Sequence, residues 1–251
     1  MRRNPMRGAV LPLRVLWSPG AALDEAPIHR VVASASLVLL VAALGALALP
    51  RLLRLLDVAL QPTGRELLDA HLAVLRIGLG RLLLFERLVL PLPFLAAGTL
   101  LALAAAPVLS GRGVSAGAVV AVLALGAAPL LVQRAGELAV VLATPGAGLG
   151  PGDVAGLPAR FNVGVAGALA AAGVAAPGWL GAAAEAANGV GLWVVALWGW
   201  GLARLDRDAS RSVRGAHTIG WCVAATSAYA AGWALHVALY PTLLVLVMGA
   251  P

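Results

Sequence analysis

From Val31 to Leu49 nineteen successive residues carry no charge, and Pro50 follows. About 20 apolar residues span the hydrocarbon core of a bilayer. A run of this kind has three homes: a membrane span, a signal peptide, or the centre of a large soluble core. Composition removes the last. Hydrophobic residues make up 61% of the chain and charged residues only 12%, where a soluble domain carries about 25% charged residues. A signal peptide fits poorly as well. Ala46-Leu-Ala48 looks like a cleavage site, but a comparatively polar stretch of some 30 residues precedes the run, far longer than that class allows. The chain reads as an all-α, polytopic membrane helix bundle.

Four further apolar runs repeat the pattern. The expected spans are 31–49, 91–109, 116–138, 182–204 and 218–240. Residues 1–30 form a polar cytoplasmic arm, and 31–251 a single transmembrane domain. Pro50 is expected to end the first span and Pro241 the last. Residues 144–158, rich in Gly and Pro, read as a loop. The segment 161–177 is short for a span and rich in small residues, so it is expected to be half-inserted or re-entrant. The last main helix before the final span is expected to begin near Leu180, with Glu185 close to the membrane boundary.

Residues 51–90 differ in kind. Six arginines sit among leucines there. At 100° per residue Arg65, Asp69, Arg76, Gly80 and Arg87 fall within about 60° of one another. This predicts an amphipathic helix over 64–87 that lies in the interface or on the spans. Pro62 and Gly64 separate it from a shorter leucine-rich piece at 51–60.

The net charge is +7, which raises nucleic acid as a partner. An arginine excess at the cytoplasmic face of a membrane protein explains it better. All 18 basic residues are arginine, and Ala, Leu, Gly and Val dominate. That is the signature of a GC-rich genome and points to a bacterial inner membrane. With the N-terminus cytoplasmic, five arginines of the arm, Arg112, and Arg204, Arg207, Arg211 and Arg214 lie inside. The partners expected are the lipid bilayer and other membrane proteins.

Chemistry is sparse. No phosphate-binding loop, nucleophile elbow, zinc-protease helix or cysteine pair is present. Cys222 is a single thiol. His217 and His236 are too far apart for one helix to offer both to a metal. Neither enzyme activity, cofactor nor metal is expected. Arg134, Glu137 and Glu185 are the ionisable groups nearest the apolar runs. All three fall near expected span ends, where side chains reach the headgroups, so the pair Arg134–Glu137 reads as exposed. The other reading makes them a polar path, because intramembrane charge is a functional hypothesis by default. Arg204, Arg207, Arg211 and Arg214 are candidate partner contacts. Trp193 and Trp200 share a helix face and suit interface anchoring. Gly164, Ala168 and Ala172, and Ala228 with Gly232, carry the small-residue spacing of close helix approach.

Three stretches resemble the bacterial branch of the Yip-domain family, relatives of Rab-GTPase-interacting membrane proteins. The first is Arg14-Val-Leu-Trp-Ser-Pro-Gly-Ala-Ala-Leu-Asp-Glu-Ala-Pro27, similar to the family's opening pattern. The second is Gly111-Arg-Gly-Val-Ser115 leading to Ala127-Ala-Pro129-Leu-Leu. The third is Leu192-Trp193-Val-Val-Ala-Leu-Trp198-Gly-Trp-Gly201-Leu with a basic turn after it. The resemblance implies five spans, a cytoplasmic N-terminus and a membrane-organising or partner-binding scaffold. The eukaryotic "DLYGP"-type motif is absent. The competing expectation is a small transporter or channel component, with its polar path near Arg134, Glu137 and Glu185.

Overall fold

The computed structural model describes residues 13–16, 18–19, 22, 27–61, 66–88, 91–110, 114–161, 164–165, 168–169, 172, 187–205 and 214–248. Among them the structure is helical, without a β-strand. The helices are α1 (Pro27–Ala59), α2 (Glu66–Leu88), α3 (Pro91–Ser110), α4 (Ala116–Gly126), α5 (Pro129–Ala143), α6 (Pro151–Gly156), α7 (Gly189–Leu205) and α8 (Arg214–Met248), with a 3-10 turn at Pro158–Phe161. Two stretches, Val32–Ala59 and the pair α4–α5 taken together, are long and apolar enough to cross a membrane.

Several boundaries differ from the sequence expectation. Helix α1 is 33 residues long and runs straight through Pro50, so 51–60 is its second half and not a separate piece. Pro50 deprives only the Ala46 carbonyl of its usual donor. The residues around it bury Ala48, Leu52, Leu55 and Leu56, and that packing holds the helix together. Helix α8 likewise passes Pro241 and reaches Met248, 35 residues in all. At the other extreme, 116–138 is not one helix. It breaks at Ala127–Ala128 and then continues to Ala143. Pro129 has no N–H for the Leu125 carbonyl, so Ala128 N donates to it instead at 3.1 Å, and Ala127 N is shared between Leu123 and Ala124. This is the tightening expected one turn before a proline. Residues 144–158 hold α6 as well as turns. Helix α7 begins at Gly189, later than expected, because Asn188 caps it: Gly191 N donates to Asn188 Oδ1 at 2.6 Å. Of the expected half-inserted segment 161–177, residues 161, 164–165, 168–169 and 172 are described and the rest lie outside the described residues.

Two apolar cores organise the helices. The larger joins the first half of α1 with α3, α4, the start of α5, α7 and α8. Val15 and Ala22, from the few described residues of the arm, are buried in it. The smaller core joins the second half of α1 with α2, the end of α5 and α6, through Leu52, Leu56, Leu83, Val141 and Val154. Around its edge Arg76 pairs with Asp57 at 2.7 Å. Arg51 donates to the Thr144 carbonyl at 3.0 Å, a cation at the C-terminus of α5.

The contacts fix how the helices run. Ser34, early in α1, hydrogen-bonds the carbonyl of Ala121, early in α4. Leu109 at the end of α3 lies against Gly220 at the start of α8, and Gly199 of α7 abuts Cys222 of α8. The beginnings of α1, α4 and α8 and the ends of α3 and α7 therefore lie toward one end of the bundle. Large apolar side chains point outward on every side of it: Leu39 on α1, Leu100 on α3, Leu192 on α7 and Ile219 on α8.

Candidate functional site

Helix α5 starts at Pro129, and its first two turns carry Gln133, Arg134 and Glu137. Arg134 NH1 donates to Glu137 Oε2 at 2.8 Å, and Gln133 Nε2 donates to Glu137 Oε1 at 3.0 Å. Both carboxylate oxygens are thus engaged within the helix. The side chains of the ion pair are 13% and 6% exposed, Arg134 and Glu137 respectively. This corrects the expectation of an exposed boundary pair. The i,i+3 spacing was read properly, but α5 continues to Ala143 and is covered by α1 and α7, which places the pair inside the bundle.

Beside the pair lies a cavity of ≈ 130 Å³. Its polar lining comes from Gln133, Arg134 and Asn188. Aliphatic side chains of α1, α4, α5 and α7 line it as well, including Leu37, Val41 and Leu130. An aromatic wall is formed by Trp198 from α7 and by Tyr229 and Trp233 from α8. Trp233 hydrogen-bonds the Tyr229 side chain. The cavity therefore lies between α1, α4, α5, α7 and α8.

Trp198 sets the shape of this wall. It is 2% exposed. Its indole N–H donates to the Leu123 carbonyl at 2.8 Å, in the turn that Pro129 disturbs. Its ring meets Tyr229 edge-on, with centroids 6.5 Å apart. A Cβ at Gly126 would lie 2.5 Å from Trp198 Cδ1, and one at Gly98 3.2 Å from the six-membered ring. Gly126 leaves no room for a side chain beside this tryptophan, and Gly98 is tightly packed against it.

The remaining predicted residues are scattered. Arg204 ends α7 and stacks its guanidinium over Trp200, 4.2 Å from the ring centroid. Arg214 opens α8. Glu185, Arg207 and Arg211 lie outside the described residues. Trp193 is partly exposed, as anchoring suggests, whereas Trp198 is the buried member of the trio. Among the described residues no group of three or more His, Cys, Asp or Glu side chains is placed to hold a metal ion.

Sequence reasoning missed Asn188, Trp198, Tyr229 and Trp233. Asn188 was legible, since an asparagine just before an apolar helical run is a capping signal. The three aromatics carried no such mark, because their meeting depends on how α7 and α8 cross. No family model, curated protein or solved structure matches this chain.

Proposed function

We propose that the chain is a five-span membrane protein that holds or passes a small solute through the cavity between α1, α4–α5, α7 and α8. The observation that carries this reading is the Arg134–Glu137 pair, buried inside the bundle beside a cavity that Gln133, Arg134 and Asn188 help to line. Ionisable groups buried among membrane-spanning helices are costly and mark solute or ion pathways. The outward-facing leucines of four helices support a lipid setting, because so much apolar surface is unusual in a soluble monomer. The spans of this reading are the first part of α1, then α3, α4–α5, α7 and α8, with α2 in the interface. Arg204 near the end of α7 and Arg214 at the start of α8 lie toward the end of the bundle where α1 begins, which supports a cytoplasmic N-terminus. The scaffold role that the Yip resemblance implies rests on the three quoted stretches and names no site, so the cavity reading is preferred.

Cysteine accessibility tests it. In a Cys222→Ala background, Val38→Cys, Leu130→Cys and Val194→Cys should react with a small polar thiol reagent in native membranes. Leu39→Cys and Leu192→Cys, which face outward, should not. Cavity cysteines as inert as the outward ones would refute a solute path.

A further inference from the structure

We propose that Arg54 and Arg81 hold the phosphate of an anionic phospholipid on the outer face of the α1–α2 pair. This rests on the membrane setting argued above and not on the solute path. The pairing of the two helices comes first. Leu53 Cδ2 lies 3.3 Å from the place a Cβ would take at Gly80, and Asp57 pairs with Arg76. Four residues forward on α1 is four residues back on α2, so the two helices run antiparallel. By that register Arg54 is level with Leu79, and Arg81 with Leu52, an offset of two residues or about 3 Å. Each arginine follows one member of the Leu53–Gly80 contact, and one residue turns a helix by about 100°. Seen from one end, antiparallel helices wind in opposite senses, so both steps swing to the same side of the pair. That side is the outer one, since Leu52, Leu56 and Leu83 face the second core while Arg54 and Arg81 are exposed. Neighbouring helices sit about 8–10 Å apart, so one phosphate can meet both guanidinium groups.

What flanks the two arginines selects the occupant. Toward the charge-free run 31–49, Leu47 of α1 and Leu84 of α2 are exposed, and the register sets them close in level. Leu40, Leu47 and Arg54 follow one another at seven-residue spacing along one face of α1. On the far side stands the Asp57–Arg76 pair, where a guanidinium already meets the acid at 2.7 Å. Arg51, one turn before Arg54, is held at the Thr144 carbonyl and adds its positive charge nearby. Arg54 lies five residues past Leu49, where the charge-free run ends, about 7 Å of helix rise. The headgroup layer is about 5–7 Å thick on each side of the hydrocarbon core, so the guanidinium reaches phosphate level. Exposed leucines below and cations above match a phospholipid, with its acyl chains along Leu47 and Leu84. Arginine suits the head because its planar fork pairs N–H donors with phosphate oxygens. A nucleic acid would satisfy the two cations and leave the leucines in water.

The test offers the full chain phosphatidylglycerol and phosphatidylcholine in equal amounts in detergent and reads the retained lipid by native mass spectrometry. Thermal unfolding in phosphatidylcholine nanodiscs, with and without added phosphatidylglycerol, gives a second readout. One arginine at an anionic headgroup is worth about a fivefold preference, so the pair should favour phosphatidylglycerol about 25-fold. Arg54→Gln and Arg81→Gln should each lower that preference about fivefold, and the double variant should remove most of it. Arg160→Gln, which takes away an exposed arginine elsewhere, should leave it intact. A parent chain that retains both lipids equally overturns the proposal without any variant. A double variant as selective as the parent overturns it too, as does Arg160→Gln being as damaging as Arg54→Gln, which would reduce the effect to overall charge. Inorganic phosphate added to phosphatidylcholine discs should not reproduce the unfolding shift; if it does, the arginines take a soluble anion and the lipid assignment falls. These failures leave the cavity reading in place, whereas reaction of Leu39→Cys with the polar thiol reagent would remove the bilayer from under both.

Discussion

Breaking the ion pair of α5 should be far more damaging than its i,i+3 spacing suggests. A solvent-exposed pair at that spacing contributes a few tenths of a kcal/mol. Here the side chains are 13% and 6% exposed and the contact is 2.8 Å. Removing one partner leaves the other buried without its counter-charge, which costs about 3–5 kcal/mol. Arg134→Gln should therefore lower stability by about that amount, because Glu137 loses the guanidinium 2.8 Å from its Oε2. Glu137→Gln should cost a comparable amount by removing the carboxylate from the guanidinium. The double variant, Arg134→Gln with Glu137→Gln, buries two amides and no charge. It should recover most of the loss, because replacing both members of a buried pair is often close to neutral. The assay is thermal unfolding of detergent-purified protein, followed by loss of the monodisperse peak on size exclusion for the four chains of the cycle. Silent single variants, with a double variant no better than either, would refute a buried pair and return Arg134 and Glu137 to the headgroup layer.

Three further outcomes follow from the same geometry. Gly126→Ala puts a methyl 2.5 Å from Trp198 Cδ1 and should cost about 1–3 kcal/mol by overpacking, read by the same unfolding assay. Trp198→Phe keeps most of the ring but loses the bond to the Leu123 carbonyl; a loss of about 0.6–1.7 kcal/mol is expected for an interhelical hydrogen bond in a membrane, and a fully neutral result would count against that bond. For topology, Ser18→Cys and Ser210→Cys in a Cys222→Ala background should resist an impermeant thiol reagent applied to intact cells, while Ala70→Cys and Leu83→Cys should report one common side. Labelling of Ser18→Cys from outside would overturn the orientation, and opposite sides for the α2 pair would make α2 a span.

Much of the helical order was legible in the amino-acid sequence. The apolar run after Pro91 places α3, and the spacing of the arginines places α2, each within a residue or two. Pro129 was visible as punctuation, although the break before it was not read as one. Prolines were the main source of error. Pro50 ends an apolar run but not a helix, because Leu52, Leu55 and Leu56 find a second core in α5 and α6 to pack against. A missing N–H is a local fact, and whether it ends a helix depends on what the next turn can bury.

The site was the part that only the tertiary structure decided. Arg134 and Glu137 were identifiable from spacing alone, and their pairing follows from it. Their burial does not, because it depends on α1 and α7 closing over α5. Trp198, Tyr229, Trp233 and Asn188 come from chain positions up to 45 residues apart and meet in one cavity through the crossings of α7 and α8 with α4–α5. Periodicity says which face of a helix is apolar. Which neighbour that face meets, and at what depth a charge comes to rest, depends on close approaches such as Gly126 against Trp198 and Gly199 against Cys222, and no single helix carries that information.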